Sequence, residues 1–384
     1  MLELLLLLLP VAASSGWLAA KQHYHKEKNA PLHKHYFTGL NFLLNEQPDK
    51  AVEVFIKLLE VNTDTVEMHF ALGNLFRKKG EVERSIRIHQ NLIARPQLSK
   101  TQRSQALHAL AKDYLSAGVL DRSERLFLDA LEENNHDIES MYYLLDIYQQ
   151  EKNWEQAIEL AQKIQSSTGK SKHIEIAHYY CELAEKKIQS NELGAAKLFL
   201  KRAINIDKKS ARALLIKAKI EDNLGNHEQA IEILKKIKED NADYFSESIP
   251  SLISYHHHLQ TEKELYSFLE KSIENCPRIS SAIALTTHLQ TQDFQKAKQF
   301  LADYLKQHPS LRGLFHLIEL QFNIATALEK ENLQLLHLLL KQLLTKSPTY
   351  LCHQCGFSGK TLLWLCPSCK QWNTTKPILG LEGE

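Results

Sequence analysis

Small and apolar residues recur along this chain in one cluster: a site late in a first helix, then three sites 12, 16 and 19 residues further on. Gly73, Ser85, His89 and Leu92 show the pattern, and Ala184, Ala196, Leu200 and Ala203 repeat it. Eight copies begin at Gly39, Gly73, Ala111, Leu145, Ala184, Ala218, Ile253 and Leu285, the last two being the weakest. Their spacings are 34, 38, 34, 39, 34, 35 and 32 residues, and the polar stretches ARPQLSK and SSTGKSK coincide with the two long steps. Steps of +4 and +3 stack apolar groups on one face of the second helix, while small residues at the first two sites let antiparallel helices approach closely. Gly80, Gly118 and Gly225 each fall seven residues after the leading site, where a helix C-terminus calls for a left-handed residue before the turn. Beyond Pro309 the periodicity predicts a last, less regular helical pair over 311–324 and 329–345.

A period near 34 residues is that of tetratricopeptide hairpins. The expected fold is therefore all-α: a superhelix of about eight to nine hairpins over residues 32–346. Such arrays offer a concave surface lined by the first helices, used to grip a peptide or protein. Asn41, Asn74, Asp113 and Tyr148 are candidates to face it. Composition agrees: 13 glycines in 384 residues is about half the ordinary share of ~7%, which disfavours nucleotide-binding α/β folds and β-sandwiches. With 47 Lys and Arg against 46 Asp and Glu there is no basic excess, so nucleic acid is not an expected partner. No nucleophile elbow, phosphate loop or zinc-protease helix motif occurs, and no catalytic residue is assigned. His256, His257 and His258 point about 100° apart on a helix and cannot easily share one ion.

The N-terminus breaks the pattern. Leu4 to Ala20 is an uncharged run of 17 residues, at the short end of what spans a bilayer. No basic region precedes it, whereas Lys21, Lys26, Lys28 and Lys34 follow. An uncleaved single-pass anchor over 1–20 is expected, then a juxtamembrane linker over 21–31, with the rest of the chain on the cytoplasmic side. A cytoplasmic location keeps thiols reduced, so clustered cysteines read as a metal site rather than as disulfides.

Four of the six cysteines are clustered. Cys352-x2-Cys355 and Cys366-x2-Cys369 form two knuckles, each able to supply two thiolates to one tetrahedral ion, in a small domain and tail over 347–384. Gly356 permits the tight turn after the first pair. The run FSGKTLLWL between the pairs predicts a short hairpin, and Leu362, Trp364 and Trp372 are expected to pack within this small unit. Four thiolates fill the coordination sphere, which favours a structural ion, zinc ahead of iron, although soft thiolates suit both. The domain is expected to dock on the last helices. Cys181 and Cys276 lie alone in helical stretches and read as buried apolar residues.

Taken together, MLELLLLLLPVAA, LGNLFRKKGEVERSIRIHQ, EIAHYYCELA and the CHQCGF, LWLCPSC and TKPI segments of the tail closely resemble the lipopolysaccharide assembly protein B family. The resemblance runs nearly end to end. It implies a bacterial inner-membrane protein with cytoplasmic tetratricopeptide repeats, a rubredoxin-like metal domain packed on them, and metal ligands at Cys352, Cys355, Cys366 and Cys369. It further implies a non-enzymatic adaptor, partnered by the membrane AAA+ metalloprotease and by the lipid A pathway deacetylase whose degradation it promotes. Other lipopolysaccharide assembly or inner-membrane proteins are further expected partners. Two alternatives stay open: an assembly scaffold for the synthetic enzymes with no proteolytic role, and an iron-binding electron-transfer protein. Whether two copies pair as a homodimer is also left open.

Overall fold

The computed structural model describes residues 66–96, 98–322 and 327–384, with isolated positions before them such as Gly39, which is helical and buried. Apart from Trp17, which is helical and exposed, the expected anchor over 1–20, the linker over 21–31 and the remainder of the first repeat copy (Ala51, Phe55 and Leu58) lie outside the described residues. No helix among the described residues is long and apolar enough to cross a membrane. The chain forms two compact units, Met1–Lys152 and Asn153–Glu384.

In the first unit, helices α1 (Val66–Lys78), α2 (Val82–Ile93), α3 (Lys100–Ser116), α4 (Leu120–Glu133) and α5 (Ile138–Gln150) follow one another. The repeat template is buried as the periodicity requires, with Ser85, His89, Leu92, Ala111, Ser123, Phe127 and Ala130 all inaccessible to solvent. Gly73 is needed for close approach, because a Cβ there would come 2.4 Å from His89 Nε2. Serine at the second site ties the pair together: Ser85 Oγ donates to the Gly73 carbonyl at 2.7 Å, and Ser123 Oγ to the Ala111 carbonyl at 2.8 Å. In the ARPQLSK insertion, Ser99 and Gln102 form a reciprocal capping box that starts α3, a device worth about 1 kcal/mol.

Asp113, expected to face a groove, is instead fully buried. Its carboxylate accepts from Arg77 Nη1 at 2.8 Å, meets His89 Nδ1 at 2.5 Å, and lies 2.7 Å from Ser85 Oγ, whose one proton it shares with the Gly73 carbonyl. Arg77 also donates to Asn74 Oδ1 at 2.6 Å, so Asn74 orients this network. A carboxylate taken out of water needs such a full set of donors, and here they join α1, α2 and α3. The serine, histidine and aspartate are not arranged as a nucleophile: the hydroxyl bonds the carboxylate, not the imidazole. Tyr148 is likewise buried rather than groove-facing.

The second unit contains α6 (Trp154–Thr168), α7 (His173–Gln189), α8 (Leu193–Ile206), α9 (Ala211–Asn223), α10 (His227–Asp240), a 3-10 turn (Ala242–Tyr244), α11 (Phe245–His258), α12 (Glu262–Asn275), α13 (Ile279–Gln292) and α14 (Phe294–Gln307). The expected closing pair follows as α15 (Leu311–Phe322) and α16 (Ala327–Lys346). Two core clusters line the helix pairs, one centred on Ala184, Ala196 and Leu200 and one on Leu234, Tyr244, Phe245 and Leu269. A third lies under α15, around Ile279, Leu301 and Leu320.

One repeat position departs from the template. Ile253 is 37% exposed, while Ile249, Leu252 and His256 of the same helix are buried. Leucine is buried at the equivalent site in two other copies, Leu145 and Leu285, so size is not the cause; α11 carries Pro250 one turn earlier, whose missing N–H interrupts the helical ladder. The inward stripe shifts by one residue. Cys276 is another correction: it is only half-buried, whereas Cys181 is fully buried, and burial pushes the Cys181 thiol up to about 12.

The left-handed turn persists where its glycine does not. Gly80, Gly118 and Gly225 have φ of 81°, 74° and 81°, and Lys152, Asn191 and Gln260, at the equivalent positions, have φ of 56°, 61° and 56°. Five of these turns carry the same six-residue backbone bond, with the N–H of Glu81, Val119, Glu192, Asn226 and Thr261 donating to the carbonyl five residues earlier at 2.9–3.0 Å. This is the Schellman motif, which satisfies carbonyls orphaned at the helix end.

Candidate metal centre and its docking surface

The C-terminal segment forms a three-stranded antiparallel sheet in the order β2-β1-β3, from β1 (Tyr350–Cys352), β2 (Ser358–Gly359) and β3 (Thr375–Pro377). The hairpin expected between the cysteine pairs is not there. Instead each hairpin wraps a knuckle: Tyr350 pairs with Gly359 around the first, and Leu365 with Trp372 around the second. The two knuckles share one backbone pattern. Gly356 N–H donates to Cys352 O at 2.9 Å and Lys370 N–H to Cys366 O at 3.0 Å, while Cys352 N–H and Cys366 N–H donate to Phe357 O and Gln371 O at 2.7 and 3.0 Å. Gly356 and Lys370 both have positive φ, 77° and 56°. The tight turn was legible at Gly356; its twin at Lys370 was not, because lysine carries no such signal.

These turns bring the four sulfurs together, all within 4.8 Å of one another. Cys352 Sγ and Cys369 Sγ are 3.7 Å apart, and Cys355 Sγ and Cys366 Sγ 3.6 Å. Four thiolates held 2.3 Å from one tetrahedral ion would be spaced by about 3.8 Å, so the pocket fits such an ion. Burial opposes ionisation of Cys352, but Thr374, whose hydroxyl oxygen is 3.3 Å from the sulfur, and the backbone N–H groups of Cys355 and Gln354 outweigh it, drawing the thiol down to about 6. The Phe357 N–H similarly lowers Cys355. Thiolate is the metal-binding form, and donors aimed at sulfur favour it. A four-cysteine metal-binding site is thus present, with its sphere filled by protein and no position left for a substrate.

The residues expected to pack inside this small domain instead dock it on the helices. Trp372 is buried, stacked on His178 of α7 with ring centroids 4.9 Å apart and flanked by Tyr179 and by Trp154 of α6. The Arg212 guanidinium of α9 lies 5.8 Å from its ring and is held by Glu182 and Glu185 at 2.7 and 2.9 Å. Trp364 and Leu362 pack against the second core cluster, Trp364 lying 5.1 Å from Tyr244. Polar bonds rim the contact: Tyr244 OH donates to Thr375 O at 3.0 Å, Lys376 Nζ pairs with Asp243 at 2.6 Å, and Tyr350 OH donates to Glu247 at 2.7 Å. Docking on the last helices was expected. The metal domain sits instead on α6, α7, α9 and α11, and the tail reaches α13 and α15, where Glu384 meets Ser280 and Arg312. Elsewhere, α16 exposes Leu335, Leu336, Leu338, Leu339 and Leu343.

Repeats of this kind with a docked four-sulfur domain define a tetratricopeptide-repeat protein carrying a rubredoxin-like metal-binding domain. Family models agree, with tetratricopeptide repeats matched over residues 69–101, 108–171 and 187–247 and a rubredoxin metal binding domain over 350–377. Lipopolysaccharide assembly protein B of Escherichia coli K12 is 37% identical over 389 residues, and its namesake in Haemophilus influenzae 32% over 397, each match covering 100% of both chains. The chain belongs to the lipopolysaccharide assembly protein B family. Among solved structures, MamA overlaps it in part, at 18% identity and a TM-score of 0.34, covering 45% of this chain and 96% of that one.

Proposed function

We propose that this protein is a non-enzymatic adaptor of lipopolysaccharide assembly, anchored in the bacterial inner membrane by residues 1–20. In this reading the linker (21–31), repeats (32–346) and metal domain (347–384) face the cytoplasm and bring the lipid A deacetylase to the membrane AAA+ metalloprotease for degradation. The observation that carries the reading is the similarity over the whole length to proteins named for lipopolysaccharide assembly. The fold supports it: helical hairpins suit protein partners, the closed thiolate site suits a structural ion, and the exposed leucines of α16 are surface of the sort that partners cover. Cys352, Cys355, Cys366 and Cys369 would together hold one zinc ion, whose role is to cross-link the two knuckles.

Confining adaptor, protease and substrate to one membrane raises their local concentration without new chemistry. The test is the half-life of the deacetylase in cells with the protein, without it, and with residues 1–20 replaced by a soluble tag. Loss of the protein or of the anchor should lengthen that half-life several-fold. An unchanged half-life without the protein would instead support a scaffold of synthetic enzymes.

A further inference from the structure

Three consecutive histidines close α11, and each turns to a different partner. His256 is buried, with Nδ1 2.8 Å from Thr261 Oγ1, and His257 Nδ1 lies 3.0 Å from Glu262 Oε1. His258 turns toward the α9–α10 connection, its ring centroid 5.1 Å from that of His227. The divergence of neighbouring helix positions rules out the tract as a site in itself, yet it frees one member to join a second histidine and a carboxylate.

The α9–α10 turn supplies both. Asp222 lies in the last turn of α9 and His227 opens α10. Between them the left-handed Gly225 reverses the chain, with Gly225 N–H donating to Asp222 O and Asn226 N–H to Glu221 O, both at 2.9 Å. The reversal brings His227 Nδ1 to 2.8 Å from Asp222 Oδ1. One carboxylate oxygen and one nitrogen from each imidazole then lie within 4.8 Å of one another. Neighbouring Glu221 is engaged elsewhere, by Lys197 at 2.8 Å and Asn226 at 2.9 Å.

We propose that Asp222, His227 and His258 form a second metal site, independent of the four cysteines, for a borderline divalent ion of the Zn²⁺, Co²⁺ or Ni²⁺ class. Imidazole with carboxylate suits these ions, whereas Ca²⁺ and Mg²⁺ prefer all-oxygen shells. Donors bound at about 2.0–2.1 Å around a tetrahedral ion sit roughly 3.4 Å apart, so the cluster must contract modestly. The exposed His258 side chain is free to rotate inward, while Asp222 and His227 are already in contact. Asp222 and His258 both sit at helix C-termini, whose partial negative charge favours a cation. Three protein donors leave one position to water or an outside ligand, and the ion pins two consecutive repeats together.

The experiment titrates untagged full-length protein, its four-cysteine site already filled, with Zn²⁺ and separately with Co²⁺. A second equivalent should bind, and the second Co²⁺ should add only weak visible bands without the intense thiolate charge transfer of a cysteine site. His258→Ala and His227→Ala should abolish that equivalent and keep the first, and Asp222→Asn should weaken it at least tenfold. His257→Ala should leave both. Circular dichroism establishes that each variant is folded; His258 and His257 are exposed, so these two test the site even if His227→Ala unfolds. Failure of the wild type to bind any added metal beyond the ion its cysteines already hold would overturn the proposal. So would a second equivalent that survives His258→Ala or disappears in His257→Ala.

Discussion

His178 joins residue chemistry to the docking of a domain. It lies beneath Trp372, and burial, with the nearby Arg212 charge, lowers its pKa to about 3. In the unfolded or undocked chain a histidine titrates near ~6.5. Between those values the open state takes up a proton that the closed state refuses, so closure is at full strength above ~6.5 and weakens as pH falls, by up to ~1.4 kcal/mol per unit. The protection of amides over residues 350–377, taken relative to their intrinsic exchange rate at each pH, should therefore fall between pH 6.5 and 5. His178→Phe should flatten the part of that profile due to the imidazole; an identical slope in the variant would refute the assignment. At this scale the sequence was only partly legible. Asp113 and Tyr148 looked groove-facing by position, but a polar residue's direction depends on donors from other helices, and those of Asp113 come from α1 and α2.

At the scale of elements, the hairpin turn is the repeated part. Glycine holds the left-handed position in three copies, and lysine, asparagine or glutamine holds it in three others, the turns at Asn191 and Gln260 keeping the same six-residue bond. Left-handed backbone costs a residue with a Cβ roughly 1–2 kcal/mol, offset in part by the extra entropy glycine loses on folding. Gln260 is exposed and follows α11, so Gln260→Gly should stabilise by about 0.5–1 kcal/mol, read as a higher urea midpoint of the helical signal at unchanged slope. A lower midpoint would show that the glutamine side chain contributes something the turn geometry does not reveal. Helix spacing was readable because the period of buried positions survives changes of residue. The exception at Ile253, where Leu252 is buried in its place, falls in the helix that carries Pro250.

Across the second unit, a metal-binding domain is clamped onto helices far from it in sequence. A segment this small has too little core to stay folded without its ion, whereas the helices have their own core clusters. Removing the metal, by chelation or by Cys352→Ser or Cys369→Ser, should unfold residues 350–377 and release Trp372 to solvent, with the far-ultraviolet helical signal largely intact. The metal's contribution to folding that segment is on the order of 10 kcal/mol. Cooperative loss of the helical signal on chelation would show that the repeats need the docked domain to fold. Cellular activity should be lost together with the metal if the docked domain forms part of the partner surface.

The sequence alone determined the helical hairpins, their turns and the four thiolates, because each rests on residues within one repeat or one knuckle. Spacing sets the buried face, and a cysteine pair two residues apart is a ligand pair wherever it sits. The tertiary structure decided what those parts meet. Trp364 and Trp372 looked like the core of a tiny domain, yet aromatic side chains bury most area where a complementary surface exists, and that surface is built from α6, α7, α9 and Tyr244. Asp222, His227 and His258 likewise carry no spacing signal. Only the reversal at Gly225 and the stacking of the next repeat bring them together, since contacts between repeats depend on helix orientation that no local pattern encodes.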